Sequence, residues 1–148
     1  MTGIKYTSED LHDHDAVAAV IKNANGEILM QEHVKYGFWT IPIGKAKHGQ
    51  SPEDGMRQEL FEECDIIVDS YDKLTSRNYS YIRDGREVKL TGHLFMIITY
   101  RGDIINKEPH KHKQQVFLSL DKISELPFLS DMTLLYLETL GMKRKDQI

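Results

Sequence analysis

Three carboxylates, Glu59, Glu62 and Glu63, stand three and four residues apart behind the pair Ser51-Pro52. At about 100° per residue they fall within a roughly 100° arc of one helix surface, and Met56, Leu60 and Cys64 form the adjoining apolar stripe. Glu53, Asp54 and Asp65 add to the acid, and Arg57 is the single base between residues 53 and 65. Like charges at these spacings cost on the order of 0.2–0.5 kcal/mol per pair. Either the acid face is simply solvated, or a cation offsets the repulsion. Hard divalent cations want oxygen, and Mg²⁺ typically takes one or two carboxylates, keeps some waters and uses substrate phosphate oxygens for the rest. Behind a glycine-containing loop, these acids suit metal-assisted chemistry on a phosphorylated molecule.

The helix that must carry them is well signalled. Ser51 is an N-cap, Pro52 suits the first helical position, and Asp54 sits where an acid favours the positive helix end, so a helix is expected over about 52–64. Upstream, Ala16–Ile21 reads as a buried strand. Asn23-Ala24-Asn25-Gly26 reads as a turn and Glu27–His33 as a second strand, the pair forming a hairpin. Phe38–Ile41 is a third short strand, leading into a loop with Pro42, Gly44 and Gly49. Downstream, Ile66–Tyr100 is extended, with a turn at Asp84-Gly85 and a strong strand over Leu94–Tyr100. A polar stretch, Arg101–Gln114, precedes a short strand at Val116–Leu120 and two helical patterns, Asp121–Leu126 and Ser130–Leu140.

A chain of 148 residues suits one domain, with residues 1–14 read as a loosely held arm. Composition is that of an ordinary globular protein. The one cysteine, Cys64, cannot form an internal bridge, and no secretory leader opens the chain, so the expected compartment is the cytoplasm. No apolar run of about 18 residues is present to span a membrane. A net charge of −4 argues against a nucleic-acid polymer as main partner. A homodimer is compatible with the sequence, which carries no signature of any particular assembly.

The stretch from Gly44 to Ile66 resembles the 23-residue box of the Nudix hydrolases, Gly-x5-Glu-x7-Arg-Glu-U-x-Glu-Glu-x-Gly-U with U aliphatic. Gly44, Glu59, Leu60, Glu62, Glu63 and Ile66 match, and Phe38–Lys45 is similar to the strand and Pro-Gly-Gly-Lys approach of that family. Three positions depart from it: Gln50 stands for the early glutamate, Gln58 for the arginine and Asp65 for the glycine. Gln58 keeps hydrogen-bond donors without the guanidinium charge. Asp65 loses the easy left-handed cap of glycine, although aspartate tolerates that conformation better than most residues.

The resemblance implies an α/β fold, an α/β/α sandwich around a central mixed sheet. It implies Mg²⁺, with Mn²⁺ as a substitute, held by Glu59, Glu63 and the Gly44 carbonyl, with Glu62 as a further ligand or water-positioning group. The expected activity is cleavage of a phosphoanhydride bond in a nucleoside diphosphate-linked small molecule, such as a nucleoside triphosphate. The alternative is a non-catalytic nucleotide-binding or sensor protein that keeps the fold, motivated by Gln50, Gln58 and Lys113.

Asn106–Phe117 is similar to the Asn-x-Glu-Pro-x-Lys segment of some family members. Where those often carry a metal-facing acid this chain has Lys113, and Glu108 is the carboxylate left in the loop. Either Glu108 assists the metal as ligand or base, or the helix works alone; Lys113 could contact a phosphate. Lys45 is a further candidate for the substrate. Trp39 reads either as a base-stacking ring or as core, as do Tyr79 and Tyr81. Arg83 reads as a phosphate contact or as part of a solvated hairpin tip, and His110 and His112 as solvated loop residues or a proton relay.

Overall fold

Every interior position of Ala16–Val20 (β1) is buried, with Val17 and Ala19 facing one apolar cluster and Ala18 and Val20 another. A strand apolar on both faces belongs in the middle of a layered domain. In the computed structural model, which describes residues 14–142, β1 lies between a parallel neighbour, Arg86–Arg101 (β6), and an antiparallel one, Ile43–Lys45 (β4). Apart from His14, the expected N-terminal arm falls outside the described residues.

Ile67–Arg83 (β5) runs antiparallel to β6 along its whole length and completes a mixed sheet of order β4-β1-β6-β5. The reversal is the expected Asp84-Gly85 turn, both residues having positive φ (51° and 74°), as a tight hairpin turn requires. A second, antiparallel sheet has the order β3-β2-β7, from Trp39–Thr40 (β3), Ile28–His33 (β2) and His112–Leu118 (β7). The helix Pro52–Cys64 (α1) covers one face of the mixed sheet through Met56, Leu60 and Cys64, packed with Val17, Ala19 and Phe95. Asp131–Thr139 (α3) covers the other through Met132, Leu135 and Tyr136, packed with Ala18, Val20 and Leu94. A short helix, Leu120–Glu125 (α2), precedes it.

Three expectations are corrected. β1 and β2 are not a hairpin: the Asn23 side chain organises the turn by accepting from the Asn25 and Glu27 amides. Pairing past it is limited to Lys22 opposite Ile28 and one Leu29-to-Ile21 bond, after which the strands enter different sheets. A local turn reverses the chain, but distant neighbours compete for the same backbone edges. The strand placed at 116–120 occupies 112–118 instead, because His112–Gln114 find partners on β2. Ile43–Lys45, read as loop, is a strand by virtue of β1.

Candidate functional site

The helix forms as its start signals direct. Ser51 Oγ accepts from the Asp54 amide at 3.1 Å, and Pro52 opens the first turn. Its far end turns left-handed at Asp65 (φ 63°, ψ 33°), whose amide bonds back to the carbonyls of the last turn. Lys107 Nζ reaches the Asp65 carboxylate at 3.3 Å. The missing glycine is therefore tolerated, with a local ion pair beside the strained position.

Gly44 sits on β4 opposite Val17, and the sheet holds it hard against Glu59. A Cβ at Gly44 would lie 2.2 Å from both Cγ and Cδ of Glu59, so the close approach depends on glycine. One turn later, Glu63 is only 3% exposed. Its Oε1 lies 3.2 Å from Nε2 of His112, which is 2% exposed. Its Oε2 is buried and meets no hydrogen-bond donor among the described residues, which leaves it open to a cation. Burial, then the negative charges of Glu63 and Glu62, push the Glu59 carboxyl up to about 8.

Glu62 behaves differently. It is exposed and accepts from Gln58 Nε2 at 2.8 Å. Gln58 Oε1 accepts from Gln50 Nε2 at 2.7 Å, and Gln50 Oε1 accepts from the Lys47 amide at 3.0 Å. Gln50 and Gln58, two of the three departures from the family pattern, thus join one neutral relay that ties the loop before α1 to Glu62. Among the described residues, no three histidine, cysteine or acidic side chains form a ready-made metal cage.

The loop before β7 supplies the other wall. Asn106 braces it by accepting from the Glu108 amide and donating to the His112 carbonyl. Lys111 Nζ pairs with Glu108 at 3.3 Å. Burial works against the Lys111 charge, but Glu108, Glu63 and Glu59 outweigh it and hold that ammonium above its ordinary value. Burial, then Glu63 and Glu108, push the Cys64 thiol up to about 12. Cys64 is therefore a packed thiol and no nucleophile.

The structure thus brings Gly44, Glu59 and Glu63 together, with Glu108 in the adjoining loop and Glu62 on the helix's outer side. Lys45 follows Gly44 at the exposed end of β4, and Lys113 is exposed on β7. Trp39 packs against the cluster that contains α3, as does Tyr79, and Tyr81 donates to Asp131. Arg83 closes β5, and its side chain lies outside the description. His110 is exposed; His112, read as a loop residue, is instead interior. Its importance had no local signal, because it follows from the pairing of His112 with His33 across two distant strands. Lys111 was likewise missed: its electrostatic partners lie on α1 as well as in its own loop.

An α/β/α domain that presents paired acids from a capped helix against a glycine strand is the class defined by this fold and site. A family model described as "NUDIX domain" matches residues 12–136. The chain belongs to the NUDIX family. It is 38% identical over 64 residues to an RNA pyrophosphohydrolase of Tolumonas auensis, and 35% identical over 63 residues to one of Baumannia cicadellinicola. Each match covers 43% of this chain, but the chain spans only 37% and 40% of those relatives' lengths.

Among solved structures, a MutT NUDIX hydrolase from Burkholderia pseudomallei superposes with a TM-score of 0.74 at 22% identity, covering 86% of this chain and 97% of the other. A MutT protein from Methanosarcina mazei gives 0.71 at 22% identity, over 86% and 92%. The NUDIX domain of Shewanella oneidensis NrtR, complexed with ADP ribose, gives 0.68 at 13% identity, over 92% of each chain. These likenesses establish the fold. No helix among the described residues is long and apolar enough to cross a membrane.

Proposed function

We propose that this chain is a Mg²⁺-dependent pyrophosphohydrolase that cleaves a phosphoanhydride bond in a nucleoside diphosphate-linked small molecule, with nucleoside triphosphates as the leading class. The observation that carries this reading is the buried, unsatisfied Glu63 Oε2 beside Glu59 at the Gly44 strand. An orphaned buried carboxylate oxygen with an acidic neighbour suits a cation better than solvent. Glu59, Glu63 and the Gly44 carbonyl would hold Mg²⁺, or Mn²⁺ in its place. When bound, that ion neutralises phosphate charge and acidifies a water.

The chain's own groups supply the rest. Glu62, exposed yet oriented by Gln58, orients or deprotonates the attacking water, and Glu108 is the nearby alternative for that task. Lys111, already in the field of Glu59, Glu63 and Glu108, attracts the substrate's phosphates. Lys45 and Lys113 are further phosphate contacts. A cavity of about 460 Å³, lined by Asp15, Asn78, Tyr79, Ser80, Lys89 and Thr91 among others, has the size for a nucleoside. At its rim, the Asp15 carbonyl accepts from the amide of Ala46, two residues past Gly44. The net charge of −4 and the site's acidity favour a small anion carried by a cation.

The test is incubation with Mg²⁺ and a panel of nucleoside triphosphates, dinucleoside polyphosphates and a 5′-triphosphorylated RNA, with products separated by chromatography. Monophosphate release that E63Q abolishes is expected. Tight nucleotide binding with no product from the wild type would instead establish the non-catalytic sensor, which the neutral Gln50–Gln58–Glu62 relay favours.

A further inference from the structure

We propose that His112 is a positioning residue that fixes Glu63 for cation binding, an inference that rests on the reading of Glu59 and Glu63 as the cation site. Its geometry is that of a built support. His112 Nε2 stands 3.2 Å from Glu63 Oε1, and both side chains are almost wholly buried. The His112 backbone is held on three sides: its amide donates to the Glu108 carbonyl, its carbonyl accepts from Asn106 Nδ2, and it pairs with His33 just past a register shift in the β2–β7 ladder.

Behind it, the His33 ring packs edge-on at 5.6 Å and itself leans on Tyr36 and Phe38. Among the described residues His112 Nδ1 meets no hydrogen-bond partner, and Nε2 is the ring nitrogen that faces Glu63. That contact engages Oε1 and leaves the unpartnered Oε2 open to a ligand. A carboxylate locked through one oxygen loses less freedom when the other takes a ligand.

The bond is also a connection between chain segments. Glu63 comes from α1 and His112 from the first position of β7, in different layers of the fold. The loop that carries Glu108 and Lys111 runs directly into His112. With the backbone bonds from Lys107 to Glu63 and from Ile105 to Cys64, this side-chain contact ties the helix acids to that loop.

The test compares H112Q, H112N and H112F by Mn²⁺ titration with electron paramagnetic resonance, alongside melting temperature and kcat against KM. Glutamine places an amide N–H as many bonds from Cβ as Nε2 is; asparagine stops one bond short. H112N and H112F are expected to bind Mn²⁺ about 10- to 100-fold more weakly, with H112Q recovering most of the loss. The deficit should fall on kcat at limiting metal and shrink at saturating metal, with KM for the nucleotide little changed.

Equal Mn²⁺ affinity in H112Q and H112N would overturn the proposal even if H112F does not fold. E63Q separates the two readings. Loss of Mn²⁺ binding in E63Q but not in H112N would reject the role of His112 alone, whereas unchanged binding in E63Q would reject the cation site itself.

Discussion

Gly44 and Glu59 are in contact across the gap between a strand and a helix, so close that one added methyl group would overlap the Glu59 side chain. G44A must therefore displace Glu59 or push β4 from α1. Because Gly44 lies on a short strand beside the start of α1, the carboxylate is the easier group to move. We expect G44A to retain its fold but lose about 100-fold or more in kcat/KM, as 1 Å misplacements do. Circular dichroism together with steady-state kinetics checks both halves.

Once Glu59 gives up its proton, above about pH 8, Glu63 and Glu59 repel each other in the metal-free protein. E63Q removes that repulsion, so at such pH the metal-free variant should be more stable than wild type by about 0.5 kcal/mol or more. With Mg²⁺ present the order should reverse, since only wild type gains binding energy. Thermal melts with EDTA and with excess Mg²⁺ decide the matter; a variant less stable than wild type in both would contradict it.

The pH dependence follows from Glu59, whose carboxyl is pushed from its ordinary 4.5 up to about 8 by burial first and by Glu63 and Glu62 next. A carboxyl that binds its proton more tightly when folded contributes stability that is complete below pH 4.5 and fades as pH rises towards 8. The metal-free melting temperature should fall across that window. Metal binding needs the carboxylate, so near neutral pH it should release protons and tighten as pH approaches 8. Calorimetry in buffers of different ionisation enthalpy measures the release.

Cys64 offers a control on the packing beneath the acids. Its burial and its thiol pushed up to about 12 predict no reaction with a water-soluble disulfide reagent in native protein at pH 8. One equivalent should react on unfolding in denaturant. Rapid native labelling would mean that α1 opens from the sheet.

Gln58 links Gln50 to Glu62. Q58L should cost about 0.5–1.5 kcal/mol in stability, the range of a lost hydrogen bond. It should lower kcat less than E63Q does, because Glu62 is solvated and can find water instead. Equal losses in both variants would show that Glu62 needs its amide partner as much as the site needs Glu63.

Much of the fold was legible because it is written in short-range chemistry. The N-cap at Ser51, the proline after it and the acid spacing specified α1 to the residue, and Asp84-Gly85 specified the long hairpin. The strands lost in reading were those whose existence depends on distant partners. Ile43–Lys45 has no strand periodicity and is extended because β1 pairs with it. The start of β7 at His112 comes from β2, and the separation of β1 from β2 from competition among four strands.

For the site, the sequence alone determined the acid helix, the glycine ahead of it and the family they belong to, since spacing along one helix needs no tertiary information. Only the tertiary structure decided how the acids differ. Glu63 is buried against His112, Glu59 is pressed to Gly44 and holds its proton, and Glu62 faces solvent on an amide relay. The physical reason is burial: helical periodicity sets the direction of a side chain, but the depth of water around it is set by the strand and loop that come to lie across that face.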